Sequence, residues 1–97
     1  MECKVCELQF LESDPSMYKS IVFSGQVDFI FPKTGEKLVP VEVSDEIDSF
    51  YILVPSEEIG ESKISLGDHF EFSGLFSSYG ERSKSVTVYD YKKLELL

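Results

Sequence analysis

Apolar positions in this chain recur mostly at every second residue. The clearest run is Met17 to Phe31, where Ile21, Phe23, Val27, Phe29 and Phe31 fall on one face, with Gly25 between Phe23 and Val27. The opposite face, Val22, Ser24, Gln26, Asp28 and Ile30, is mostly polar, so the run predicts a long strand buried on one side. A glycine in its middle predicts sharp coiling there, because a residue without a Cβ lets a strand bend. Lys37 to Ser44 alternates again, with Val39, Val41 and Val43 inward and Leu38, Pro40 and Glu42 outward. Pro40 has no N–H to give to a ladder and is expected at an edge or bulge. Phe50 to Val54 is an almost wholly apolar strand stopped by Pro55. Leu66 to Phe76 opens with a turn, Leu66-Gly67-Asp68, and then places Phe70, Phe72, Gly74 and Phe76 on one face. Val86 to Leu94 forms the last strand, Val86 and Val88 facing away from Thr87, Tyr89 and Tyr91. At the other end, Glu2 to Glu12 alternates loosely, and Cys6, Leu8 and Phe10 share a face of a predicted strand.

Turn chemistry separates these runs. Ser13-Asp14-Pro15-Ser16 favours a turn, and Pro32-Lys33-Thr34-Gly35-Glu36 offers Gly35 for a positive φ. Asp45 to Ser49 reads as an acidic loop and Ser77 to Ser85 as a polar one. Ser56 to Ser65 is the one helix candidate: Ser56 suits a cap, Glu57 and Glu58 suit the positive end, and Ile59 faces the core. Gly60 limits it to a turn or two. The chain of 97 residues is expected to form a single domain, since two would each be too small to bury a sufficient core. The fold class is all-β. Aromatic residues, Phe and Tyr without Trp, fall largely at alternating positions, which suits a pleated surface.

The order of elements, with the coiled first strand at Gly25, the third strand Phe50 to Val54 ending at Pro55, and the Leu66-Gly67-Asp68 turn leading to Gly74, resembles the oligonucleotide- and oligosaccharide-binding (OB) fold superfamily. That fold is a small five-stranded Greek-key barrel. The resemblance covers Lys19 to Leu96 and extends to single-stranded-DNA-binding and replication-accessory modules. It implies a barrel over residues 17–97, an N-terminal extension strand over 1–16, and at most one short helix. An SH3-like barrel is the competing topology.

The resemblance also implies where a ligand would lie: across the second and third barrel strands, between the loop joining strands one and two and the loop joining strands four and five. Here those loops are Pro32 to Lys37, carrying Lys33 and Lys37, and Ser77 to Ser85, carrying Tyr79, Arg82 and Lys84. Cations beside rings are what single-stranded nucleic acid requires, since phosphates meet the charges and bases stack on the rings. The candidate nucleic-acid-binding residues are therefore Lys33, Lys37, Tyr51, Tyr79, Arg82, Lys84 and Tyr89. The plain alternative is that hairpin tips are polar in any protein and that the tyrosines are half-buried pleat residues.

Charge changes this picture. The formal net charge is −9, from 18 acidic and 9 basic residues, which opposes non-specific binding of polyanions. Glu42, Asp45, Glu46, Asp48, Glu57, Glu58 and Glu61 occur without an intervening Lys or Arg. Segment 42–61 is thus either a solubilising surface or one that meets a basic partner. Cys3 and Cys6 have C-x-x-C spacing, but a zinc site needs a second pair, and His69 is the only histidine. In an extended strand residues three apart stand roughly 10 Å from each other, beyond the ~7 Å reach of a disulfide. Two ordinary thiols, no metal and no small-molecule cofactor are expected. No nucleophile lies beside His69 and no glycine loop cradles phosphate, so the chain reads as not an enzyme. No apolar run approaches the ~20 residues that span a bilayer, and Met1 to Lys19 lacks a signal-peptide pattern, so no membrane association and a cytoplasmic location are expected. The reading is a non-catalytic binding module for single-stranded DNA or RNA, in replication, repair or recombination, with a homodimer compatible. The rivals are a protein-interaction subunit holding a basic partner, and an acidic inhibitor or nucleic-acid mimic.

Overall fold

The computed structural model describes residues 1–11, 18–79 and 83–95. Its strands are β1 (Glu2–Lys4), β2 (Lys19–Ile30), β3 (Leu38–Ser44), β4 (Ser49–Pro55), β5 (His69–Tyr79) and β6 (Ser83–Leu94), with one short helix, α1 (Val5–Leu8). The sheet runs β1-β2-β3-β4-β6-β5, and a further β2–β5 pairing closes it into a five-stranded barrel with β1 added at an edge. The expected fold class is the observed one.

Strand β2 makes closure possible because it serves two partners in turn. Its first part pairs with β5 from Lys19↔Phe76 to Gln26↔His69, and its second part pairs with β3 from Gln26↔Ser44 to Ile30↔Val41. Gly25 sits inward where the strand acquires β3 as its second partner. A Cβ there would lie 3.0 Å from the Ser44 carbonyl oxygen and 3.0 Å from Val5 Cγ2, so the tight crossing needs the missing side chain. Before β3 begins, β1 covers the same edge of β2 in parallel, Glu2↔Val22 to Lys4↔Ser24. The turn ahead of β5 ties in here as well: Val27 N–H donates to Asp68 O and Gly67 N–H donates to Val27 O. The interior is filled by Ile21, Phe23, Val27, Val41, Val43, Ile52, Val54, Phe70, Phe72, Phe76, Val86 and Val88. Phe23 and Phe72 stand 5.4 Å apart between ring centroids, across the β2–β5 pairing.

Four expectations need correction. The N-terminal segment is a strand only to Lys4; Val5, Leu8 and Leu11, three residues apart, then pack on the barrel while Phe10 is 75% exposed. The register of β2 against β3 slips between Val27 and Phe29, so Ile30 turns toward the core and Phe29 and Phe31 turn out. A matching slip between β5 and β6 at Ser73 and Gly74 turns Tyr91 inward, where its hydroxyl donates to Glu58 Oε2 at 2.6 Å and its ring meets Phe70 edge-on. That carboxylate, with burial, pushes the Tyr91 phenol up to about 12. Finally, the polar stretch Ser77 to Ser85 is mostly paired strand, with Ser77↔Ser85, Ser78↔Lys84 and Tyr79↔Ser83 in register. The turn expected at 13–16 lies outside the described residues.

The helix candidate after β4 is a single 3-10 turn, Ser56–Glu58, and Ile59 packs on the core as expected. Pro40 takes a position that needs no donor. Its carbonyl accepts from Phe31 N–H just past the end of β2, so its N faces the place where that ladder has stopped.

Candidate nucleic-acid interface

The slip in β2 has a chemical consequence on the outside of the barrel. Phe29 is 50% and Phe31 38% exposed, and Tyr51 on β4 is 54% exposed. Phe29 and Phe31 meet edge-on at 5.1 Å between centroids, and Phe31 meets Tyr51 edge-on at 5.8 Å. Three rings thus form one continuous outward surface over β2, β3 and β4. Large apolar side chains gathered on an exposed face, rather than scattered singly, mark a contact surface. Glu42 stands in the middle of it, opposite Phe29 in one ladder and opposite Tyr51 in the other. Its carboxylate holds the Tyr51 phenol above the usual tyrosine range, by hydrogen bonding first and by its charge second.

Ladder register fixes what borders this surface. Leu38 pairs with Pro55, so the 31–37 connection lies at the C-terminal end of β4. Leu53 lies opposite Thr87 in the parallel pairing, so the start of β6, and the β5–β6 hairpin with it, lies toward the N-terminal end of β4. The two segments therefore flank the outer face of β4 from opposite ends, with Tyr51 between them. Lys33 and Lys37 are exposed on the first. Lys33 Nζ donates to Ile59 O at 3.4 Å, and the Lys37 carbonyl accepts from Ser56 N–H at 2.8 Å, which seats the connection beside the 3-10 turn.

No family model matches the sequence, and no curated protein sequence is significantly similar to it. Solved structures do match. A chain of the S. pombe Stn1–Ten1 complex superposes with a TM-score of 0.70 at 12% identity, over 93% of this chain and 74% of that one. A chain of a Replication Protein A heterotrimer bound to ssDNA gives 0.66 at 13% identity, over 94% and 78%. The fold is the OB barrel. A Leishmania major protein described as an aspartyl-tRNA synthetase contains it too, matching 96% of this chain with a fifth of its own length (TM-score 0.64, 14% identity, 20% covered).

In OB terms, β3 and β4 are the second and third barrel strands, and the aromatic surface lies on their outer face. Among the residues singled out from sequence, Tyr51 lies in that surface, and Lys33 and Lys37 lie on its border. Lys84 lies on β6 opposite Ser78, and its ammonium donates to the Gln9 carbonyl, so it is engaged with the N-terminal segment. Tyr89 lies two residues past the Leu53–Thr87 rung and Tyr51 two residues before it, about 13 Å apart along the strands at ~3.3 Å per residue. The Tyr89 hydroxyl shares a hydrogen bond with Ser20 Oγ on β2, on the far side of β5. The structure thus leaves Tyr89 outside the ring cluster. Arg82 and the side chain of Tyr79 lie outside the described residues. Strict alternation puts Phe29 and Phe31 on the buried face of β2, whereas both are exposed. The signal that distinguishes them is the unbroken apolar triplet Phe29-Ile30-Phe31, in which both parities are apolar, so alternation alone does not decide which of them faces inward.

A separate groove of about 800 Å³ runs over the outer face of β2. Its lining includes Val22, Ser24 and Gln26 of β2 together with Glu2, Lys4, Asp45, Glu46, Ile47 and Glu71. None of Phe29, Phe31, Tyr51, Lys33 and Lys37 lines it. The free thiols of Cys3 and Cys6 are both held above the ordinary cysteine range, Cys3 chiefly by burial and Cys6 chiefly by its hydrogen bond to Asp45. Among the described residues no set of His, Cys, Asp and Glu side chains converges to hold a metal ion.

Proposed function

We propose that this OB barrel is a non-catalytic module that binds single-stranded nucleic acid across the outer face of β3 and β4, in replication, repair or recombination. The observation that carries the reading is the exposed ring cluster Phe29, Phe31 and Tyr51, bordered by Lys33 and Lys37. Rings accept any base face, each stacked base contributing about 1–3 kcal/mol, and lysines at the border meet phosphates. Arg82 and Tyr79 complete the set of proposed contact residues on the strength of the sequence alone. The ssDNA in the Replication Protein A neighbour supports a nucleic-acid ligand by analogy of fold.

A second reading rests on the groove over β2. Its excess of carboxylates and its exposed Ile47 suit a basic, partly apolar segment of a protein partner. One titration separates the two. A fluorescein-labelled mixed-sequence 12-mer is expected to bind in low salt, and Phe31→Ala with Tyr51→Ala is expected to weaken it at least tenfold. Absence of binding at tens of micromolar sinks the nucleic-acid reading and leaves the protein-partner one. Binding that the double variant leaves untouched moves the site off the ring cluster.

A further inference from the structure

We propose that Glu42 gives the ring surface a preference among bases, favouring those whose edges present N–H donors, guanine above all, over thymine or uracil. This rests on the single-stranded nucleic-acid reading above. The burial pattern of β3 points Val41 and Val43 inward and Glu42 outward. On that face Glu42 lies directly across from Phe29 on one side and Tyr51 on the other. Directly opposed residues in a ladder hold their Cβ atoms about 4.5–5.5 Å apart. A carboxylate is therefore placed among the rings on which bases would lie.

A carboxylate there repels phosphate, so a strand crossing the surface must turn its backbone outward, toward Lys33 and Lys37, and its base edges toward Glu42. An ionised carboxylate only accepts hydrogen bonds, through about four lone-pair sites, so the Tyr51 hydroxyl beside it leaves acceptors over. Guanine meets these with two adjacent donors, N1–H and N2–H, in a bidentate pair. Cytosine and adenine each offer one amino group. Thymine and uracil offer N3–H flanked by two carbonyl oxygens that face the carboxylate unfavourably. Stacking supplies sequence-tolerant affinity, and Glu42 supplies discrimination on top of it.

The test is a set of labelled single-stranded 12-mers, dT12, d(TG)6, d(TI)6, d(TC)6 and d(TA)6, titrated by anisotropy against wild type, Glu42→Gln and Glu42→Ala. Wild type is expected to bind d(TG)6 about tenfold more tightly than dT12, with d(TI)6 between them because inosine lacks the N2 amino group. In both variants the difference is expected to shrink to about twofold, through tighter dT12 binding as well as weaker d(TG)6 binding. Equal wild-type affinities overturn the proposal, as does a guanine preference that survives in Glu42→Gln. A d(TA)6 affinity matching d(TG)6 in all three proteins also overturns it, because purine stacking then explains the order. If no oligonucleotide binds, the nucleic-acid reading itself falls. Glu42 is a surface residue, and unchanged circular dichroism melts confirm that the variants fold.

Discussion

Two register slips, each one residue long, decide which side chains this barrel shows to solvent. At the second of them the extra residue is Tyr89 on β6, and Gly74 stands opposite Val88 just beyond it. A Cβ at that position would stand 2.9 Å from Val86 Cγ1 and 3.0 Å from the Thr87 carbonyl oxygen, and the second of these is backbone that cannot swing away. Gly74→Ala is therefore expected to destabilise the fold by about 1–3 kcal/mol, the range for forcing extra volume into a packed wall. Urea unfolding checks it; an unchanged midpoint would mean that β5 and β6 separate without strain. The same slip turns Tyr91 toward Glu58, so one backbone irregularity positions both a close strand approach and a half-buried hydrogen bond.

Among the elements, α1 depends on the β3–β4 connection, and the dependence runs through Asp45. Burial raises the Asp45 carboxyl, but backbone N–H groups of Asp48, Cys6 and Ile47, with the Cys6 thiol, outweigh it and hold the group well below the usual carboxylate range. Cys6 N–H donates to Oδ2 at 2.9 Å, while Ile47 and Asp48 N–H both donate to Oδ1 at 2.8 Å. A folded pKa below the unfolded value near 3.9 stabilises fully above that value and loses its effect as pH falls toward the folded one. The Tm gap between wild type and Asp45→Asn is expected to stay constant from pH 7 to pH 5 and to narrow below about pH 4. A gap independent of pH would assign the effect to shape rather than charge.

These contacts explain what the residue pattern could convey about each element. Strands buried on one face were legible because period-2 alternation has one cheap solution, as in Ile21, Phe23 and Val27. The segment 5–11 was not, because its apolar residues fit both periods. Cys6, Leu8 and Phe10 alternate, yet Val5, Leu8 and Leu11 meet the barrel, and Asp45, remote in sequence, supplies the donor's partner. The positions of Tyr51 on the third barrel strand and of Lys33 and Lys37 in the connection before the second were legible from fold order. The outward turn of Phe29 and Phe31 was not legible, because with apolar residues at both parities the bulge that faces Ile30 inward is decided by tertiary packing. Ser77 to Ser85 read as a loop because its polar residues carry no alternation, although backbone pairing needs none.

At the scale of the whole molecule, a net charge of −9 opposes a polyanionic ligand, so the proposed single-stranded nucleic-acid binding would draw its affinity mainly from stacking and only locally from cations. Each phosphate neutralised on a single strand contributes about −0.7 to the slope of log K against log salt. Removing Lys33 and Lys37 together, as the double alanine variant, is expected to flatten that slope by about 1.4, twice 0.7. Oligonucleotide titrations across a salt series measure it. A slope unchanged by the substitutions would place the phosphate contacts elsewhere on the barrel.

The wall of the barrel is uneven in one respect that bears on how it moves. Strands β5 and β6 are laddered from His69↔Leu94 to Tyr79↔Ser83, whereas β4 and β6 meet in parallel at one rung, Leu53 opposite Thr87. Among the described seams of the barrel this one carries the least backbone pairing, so opening it beside Tyr51 breaks fewer ladder hydrogen bonds than opening any other. In the proposed binding mode, a ligand strand laid over β4 would oppose opening of this seam, trading part of its contact energy for lost local opening. Amide exchange on either side of the seam reports that trade directly.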